Sequence, residues 1–412
     1  MVQLHISTRS VETSVFARIL CTALALCALP QVHARRSRSS QVALDSGGDG
    51  APPNQVDDLA GSGLTFRPKR PVPKACARAP DEPGDRRPNK DELTIGNFNA
   101  EWLFLFGGTG NMVCPGKGCP WKDRNMAASH FIRVAETITT MGQPDIVHLS
   151  EVEGCDTLDK LIGVLEQGYG APLGAYKSYL VPGRDTALGQ NVGFISKVDP
   201  QADVVRTDDR AIYPVPGSRC GWTKPGAPSR LAGSSKNYFA TFMINDIKLL
   251  LAGTHMIAYP DKPERCERRE AQAAVIADII RAHVENHPAD EILVMGDFND
   301  YDDEILDAAG PIDTPISQAL SLLRKSTSPP LYNLAKQWMN QTERYTNWYD
   351  RNGDCKDSGG DEHVLIDHVL VSDGLKNRLV STRPIHSYKE YCGTLDSDHW
   401  PIVATFNVKR QD

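Results

Sequence analysis

The sequence predicts an α/β fold in which mixed β-sheets are layered with helices. Three observations lead there. From Asp91 onward, short apolar runs recur at strand length. Some are joined by turn residues and others by stretches with apolar positions at helical spacing. No internal repeat divides the chain, so the elements belong to one layered architecture and not to a solenoid. The chain has 412 residues, 40% hydrophobic and 24% charged, which supplies a large core. The composition excludes a multi-pass membrane protein, a coiled coil and a collagen-like rod. The formal net charge of -7 gives no global basic excess, so any anionic ligand must be held by a local site or a metal.

The N-terminal residues 1–34 read as a signal peptide. Arg9 and Arg18 precede the apolar run Ile19–Leu29, Pro30 ends it, and Val32 and Ala34 offer small residues for cleavage. That run is shorter than the roughly 20 residues a membrane span needs. The expectation is export, to the extracellular space or a periplasm. Cys21 and Cys27 leave with the leader, and Cys76, Cys114, Cys119, Cys155, Cys220, Cys266, Cys355 and Cys392 remain. An even set in an exported chain reads as disulfides, and without a CxxC pair it does not read as a zinc ribbon. Cys114 and Cys119 are close enough to staple one loop; the other pairings stay open. Residues 35–91 are rich in Arg, Ser, Gly, Pro and Asp, too polar to offset chain entropy, and are expected to be disordered. Their basic cluster at Arg35, Arg36 and Arg38 reads as a solvated charge run.

Residues 92–408 carry the elements. Strands are expected at Leu93–Phe98, Asp145–Leu149, Asn191–Ser196, Tyr238–Ile244, Ile247–Ala252, Glu291–Met295, Val364–Val371 and Ile402–Phe406. His130–Met141 is expected to be a helix with Phe131, Val134, Ala135 and Ile138 on one face, and Glu267–His283 another, with Ala271, Ala274, Val275 and Ile279 aligned. Several strands end alike, in carboxylate, amide or imidazole: Asn99 and Glu101, Glu151, Asp297 and Asn299, Asp367, and Asp398 with His399. Each taken alone fits a turn or a cap. Together they place costly polar groups at the ends of buried strands, which calls for pairing or a metal. An oxygen-rich pocket of this kind suits Mg²⁺, Mn²⁺ or Ca²⁺.

Gly296-Asp297-Phe298-Asn299 and Ser397-Asp398-His399-Trp400-Pro401-Ile402 resemble the signature segments of the endonuclease/exonuclease/phosphatase superfamily, the deoxyribonuclease I-like proteins, and the resemblance runs from about Leu93 to Phe406. It implies a four-layer sandwich of two mixed sheets flanked by helices, with phosphoester hydrolysis at the sheet edges under a divalent ion, usually Mg²⁺. By resemblance Glu151, Asp398, Glu101 and Asn99 belong to the metal site. His255 and Asn299 contact the phosphate, Asp297 orients or deprotonates water, and Asp367 partners the catalytic His399. Ser150 departs from the glutamine that usually precedes the metal-binding glutamate. Arg269 and Gln272 either anchor the phosphate loop or lie on a solvated helix face.

Tyr345-Thr346-Asn347-Trp348-Tyr349 precedes an acidic stretch, 350–361. There Asp350, Asn352 and Asp354 alternate as in a calcium loop, with Asp361 at the twelfth place. Cys355 replaces the usual glycine and no glutamate closes the loop at that place, so an ordinary acidic turn is favoured over a second, structural Ca²⁺ site. Trp348 is expected in the core. The functional expectation is a monomeric, metal-dependent phosphodiesterase, a nuclease acting on extracellular DNA or RNA. The alternatives are a sphingomyelinase C-like lipid phosphodiesterase, whose interfacial loop would be Gly110–Trp121, a phosphomonoesterase, and a non-catalytic binding protein on the same fold.

Overall fold

The computed structural model describes residues 75–105, 114, 118–184, 188–313 and 317–410, all within the unit Ser62–Asp412. The leader 1–34, residues 35–74 and most of the 110–121 loop lie outside the described residues. In chain order the elements are β1 (Glu92–Leu103), α1 (Arg124–Thr140), β2 (Ile146–Val152), α2 (Cys155–Gly168), β3 (Lys177–Leu180), β4 (Asn191–Ser196), β5 (Ala211–Tyr213), β6 (Arg230–Ala232), β7 (Asn237–Ile244) and β8 (Ile247–His255). There follow α3 (Pro263–Asn286), β9 (Glu291–Asp297), α4 (Ala319–Arg324), β10 (Tyr332–Asn333), β11 (Asn347–Trp348), β12 (His363–Val364), β13 (Asp367–Val371), α5 (Asp373–Asn377), β14 (Leu379–Pro384) and β15 (Ile402–Asn407).

Two mixed sheets form the centre, ordered β14-β15-β1-β2-β4-β3 and β10-β13-β9-β8-β7. β1 runs parallel to β2 and β8 parallel to β9, while the other neighbours are antiparallel. The alternation of side chains along each strand builds the layers. Leu93 and Ile95 of β1, Leu249 and Leu251 of β8, Leu293 and Met295 of β9, and Val369 and Val371 of β13 face inward and fuse the sheets through one core. The opposite faces take the helices. Phe98, Val147 and Leu149 pack on Phe131, Ile138, Leu158 and Leu165 of α1 and α2. Leu250, Ile292 and Val294 pack on Ala273, Ile276, Ile280 and Leu323 of α3 and α4. Two sheets inside two helical layers make the four-layer sandwich that the resemblance implied.

The expected elements are present, with differences at the margins. The Val364–Val371 run is broken, because Leu365 and Ile366 leave the sheet between β12 and β13. Residues 75–91, expected to be disordered with the rest of 35–91, lie packed on the sandwich. Cys76 is joined to Cys155, and Arg86 meets Asp199 at 2.8 Å. A covalent tie and a buried counterion outweigh the polar composition of that segment. The remaining disulfides are Cys114–Cys119, as expected, Cys220–Cys266 and Cys355–Cys392. No helix among the described residues is long and apolar enough to cross a membrane.

Candidate active site

The inward rows of both sheets change character at the same end. On β1 the row Leu93, Ile95 continues as Asn97, Asn99, and on β2 Ile146 is followed by His148 and Ser150. On β8 it ends at His255, on β9 Leu293 and Met295 give way to Asp297, and on β13 Asp367 opens the row. Register aligns these ends, with His255 beside Asp297 and Asp367 opposite it. The site is therefore the inter-sheet core extended past its last apolar layer, where polar groups from both sheets face one another.

Backbone irregularity aims the acidic residues. Glu101, Trp102 and Glu151 hold φ of 37°, 51° and 62° where the β1–β2 and β2–β4 registers shift. Such positions are costly for residues with a Cβ and concentrate at functional sites. They turn Glu101 and Glu151 out of the strand alternation toward the cup. Gly296 is required for packing: a Cβ there would lie 1.8 Å from the Thr254 carbonyl oxygen. Asn299, with φ of 50°, turns the chain directly after β9.

A cavity of about 220 Å³ is lined by Glu151, His255, Asp297, Asn299, Asp398 and His399. His399 Nδ1 lies 2.7 Å from Asp367 Oδ2. Burial opposes its charge, but Asp367 and Asp398 outweigh that and hold its pKa well above the usual histidine value. Its Nε2 faces Asp398 at 3.8 Å and Asp297 at 3.9 Å. Asp297 Oδ2 accepts from the side-chain amides of Asn99 and Asn299, each at 3.0 Å. Burial pushes its pKa up to about 7. His255 Nε2 approaches Asp297 at 3.5 Å and Glu151 at 3.9 Å. Burial, reinforced by Lys236 and His399, keeps His255 neutral, so these approaches are not ion pairs. Glu151 accepts from the Trp102 amide at 3.0 Å and, with Glu101, has its pKa raised by burial and by neighbouring carboxylates. Glu101 accepts from the Asp398 amide at 3.1 Å. All the residues assigned by resemblance, Asn99, Glu101, Glu151, His255, Asp297, Asn299, Asp367, Asp398 and His399, thus converge.

Three residues escaped the sequence reading, Gln190, Glu390 and Asn347, and the structure decides the roles of Arg269 and Gln272. Gln190, immediately before β4, donates to Glu151 at 2.6 Å and supplies the amide that Ser150 lacks. Ser150 instead meets His148 Nε2 at 3.1 Å. Glu390 belongs to no motif, yet it is buried, neither of its carboxylate oxygens has a hydrogen-bond partner among the described residues, and burial with the charges of Asp398, Asp396 and Asp357 pushes its pKa up to about 9. Asn347 bridges to His399 and donates to the Asp398 carbonyl at 3.0 Å, fixing the histidine loop from outside the sheets. Arg269 is fully buried; it pairs with Asp300 at 2.9 Å and donates to the carbonyls of Ile257 and Pro260. Gln272 accepts from the Ile257 amide at 3.0 Å. Both residues anchor the loop after His255, which settles the alternatives left by the sequence. Contacts between distant segments have no local sequence signature.

The donor set fits a hard divalent cation. Glu101, Glu151 and Asp398 repel one another where burial already disfavours their charge, a deficit that such an ion corrects. The fold and this strand-end constellation are those that the resemblance of the sequence implied. No protein-family model matches the chain, and no curated protein matches it in sequence. Similar solved structures include a truncated TDP2 of Caenorhabditis elegans, 17% identical with a TM-score of 0.44 over 77% of this chain and 98% of that one. A D. rerio TDP2 humanized by 14 mutations is 15% identical, with a TM-score of 0.42 over 77% of this chain and 100% of its own. D. rerio TDP2 complexed with a single strand DNA product gives 15% and 0.42, over 77% and 99%.

Proposed function

We propose that the protein is an exported, divalent-metal-dependent phosphodiesterase whose substrate is DNA or RNA. The observation that carries the reading is the convergence, in one cup, of the His399–Asp367 pair, Asp297 and the mutually repelling carboxylates Glu101, Glu151 and Asp398. A divalent ion, Mg²⁺ or Mn²⁺, held by Glu151, Asp398, Glu101 and Asn99, would neutralise phosphate charge and stabilise the leaving oxygen. Asp297, poised near neutrality, accepts a proton from the attacking water at its Oδ1 or Oδ2 while Asn99 and Asn299 hold it in place. Cationic His399 donates from Nε2 to a phosphate oxygen, and Asp367 fixes the ring through Nδ1. Neutral His255 completes the donors for the charge that develops on the phosphoryl oxygens, while Asn299 acts through Asp297.

The rim favours a nucleic acid over a lipid headgroup. Tyr259 and Tyr349 line the cavity and are more than half exposed, at 54% and 51%. Each carries a guanidinium against its ring, Arg265 at 4.9 Å and Arg351 at 5.5 Å. Exposed aromatic faces next to cations suit bases and a phosphate backbone, whereas an interfacial lipid enzyme needs an apolar loop to insert. The test is a hydrolysis panel of DNA, RNA, sphingomyelin and a small phosphomonoester, each with magnesium and with EDTA. Magnesium-dependent cleavage of a nucleic acid is expected. Turnover of sphingomyelin or the monoester without nucleic-acid cleavage would overturn the reading in favour of those enzymes, and no turnover of any ester would favour a binding protein.

A further inference from the structure

The loop between β11 and β12 gathers acidic side chains outside the cup. Carboxylate oxygens of Asp350, Asp354 and Glu362 lie within 4.8 Å of one another. Asp350 is turned inward by the amides of Gly353 at 2.8 Å and Cys355 at 3.1 Å. Cys355 occupies the sixth place with φ of 61°, the conformation for which calcium loops use glycine, and is held there by its disulfide to Cys392. Asp357 takes no part, since it is paired with His363 at 2.7 Å.

An acidic turn alone does not make a site. The independent observation is Glu362. It is 1% exposed, and its Oε2 accepts from Trp348 Nε1 at 3.2 Å and from the Ser358 amide at 2.9 Å. Its Oε1 is buried and has no hydrogen-bond partner among the described residues. An uncompensated carboxylate oxygen beside two further carboxylates costs stability unless a cation meets it. The closing ligand is thus Glu362 and not Asp361, one place beyond the calcium-loop spacing, which is why the sequence pattern favoured an ordinary turn.

We propose that Asp350, Asp354 and Glu362 form a second cation site, of calcium type, that organises the loop next to the cup. The donors are all oxygen and Asp354 is exposed, so water can complete the shell; this suits the larger, geometrically tolerant Ca²⁺ better than Mg²⁺. The site reaches the cup through hydrogen bonds. Trp348, bonded to Glu362, donates its backbone amide to the Asp398 carbonyl at 2.9 Å, and the adjacent Asn347 bridges to His399. The ion thereby fixes the strand that brackets the catalytic histidine, whatever ester is cleaved.

The test is calcium calorimetry on the whole disulfide-bonded chain, with magnesium in excess so that the cup is occupied. Calcium uptake is expected in the wild type. Asp354→Asn and Glu362→Gln should each weaken it by about tenfold or more, while Glu151→Gln in the cup leaves it intact. Asp354 is exposed, so its variant reports on binding even if Glu362→Gln fails to fold. Absence of uptake in the wild type, unchanged uptake in Asp354→Asn, or uptake abolished by Glu151→Gln would overturn the proposal.

Discussion

Buried carboxylates occur in two settings in this molecule, and the contrast separates scaffold from site. Three of those away from the cup are matched. Asp199 accepts from Arg86, Lys177, Tyr179 and the Gly84 amide at 2.7–3.0 Å, Asp300 from Arg269 at 2.9 Å, and Asp302 from Arg324 at 2.5 Å and Asn333 at 2.8 Å. At the strand ends Glu101, Glu151, Asp398 and Glu390 crowd together, and the cationic His399 beside Asp398 does not offset their combined charge. The same residue types are stabilising where counterions accompany them and costly where they do not. A fold that keeps the second arrangement stores a demand for a cation.

The sharpest break of the contrast is chemical. Asp297→Ala and His399→Ala should each lower the magnesium-dependent rate by about 10³-fold while leaving the melting temperature close to wild type. Initial rates on the best substrate of the hydrolysis panel, with a melt of the same sample, check this. Near-normal turnover in either variant would remove the residue from the mechanism.

The scaffold side gives the opposite result. Asp199→Asn strips the counterion from Arg86 and Lys177, whose side chains are 23% and 46% exposed. Partial hydration of those cations moderates the loss to about 2–3 kcal/mol, with kcat unchanged. Burial opposes ionisation of Asp199, but Arg86, Tyr179 and Lys177 hold its pKa well below the ordinary carboxylate range. With the folded pKa depressed, the stability it contributes is present above the unfolded value of about 3.9 and is lost as pH falls through the folded one. Urea unfolding at neutral pH and again below about pH 4 should therefore show the gap between wild type and variant shrinking in acid.

How far this division could be read without coordinates depends on which residues are concerned. Asp297, Asn299, Asp398 and His399 sit in contiguous motifs at strand ends, where a polar residue interrupts an apolar run, so both place and chemistry were legible. Gln190 and Glu390 lie in stretches with no such interruption and acquire meaning only when β4 or the 386–400 segment folds against β1. The packed state of residues 75–91 was hidden for a related reason: it depends on Cys155 and Asp199, more than a hundred positions from Arg86 in the second case. The loop after Asp350 was half legible, since its alternation shows in sequence while its closing ligand is set by a tertiary hydrogen bond to Trp348.

A smaller effect is expected at the rim, where neither setting applies. Tyr259→Ala and Tyr349→Ala remove stacking faces and no charge. Each should raise KM for a single-stranded substrate by about five- to a hundredfold, the equivalent of about 1–3 kcal/mol of stacking, and leave turnover of a small soluble phosphodiester unaltered. Steady-state kinetics on the two substrates separates the effects. Equal loss on both would mean that the tyrosines support the cup and not the bound strand.

Glu390 gives the finest distinction, because it has the burial of Asp199 and the isolation of the cup. Its folded pKa, raised to about 9, lies far above the unfolded glutamate value of about 4.3. The stability linked to its bound proton is complete below the unfolded value and drains away as pH rises toward the folded one. At about pH 4 the carboxyl is largely neutral in both states, so Glu390→Gln should change metal-free stability there by no more than about 0.5 kcal/mol. As pH rises from there, folding of the wild type must take up a proton that the unfolded carboxylate has released and folding of the variant need not, so in EDTA the variant becomes the more stable of the two, by a gap that widens until the folded pKa is reached. Melts of both proteins in EDTA across that range measure the divergence. A variant that falls below wild type with rising pH would show that Glu390 finds a cationic partner within the protein and belongs with Asp199 on the scaffold side.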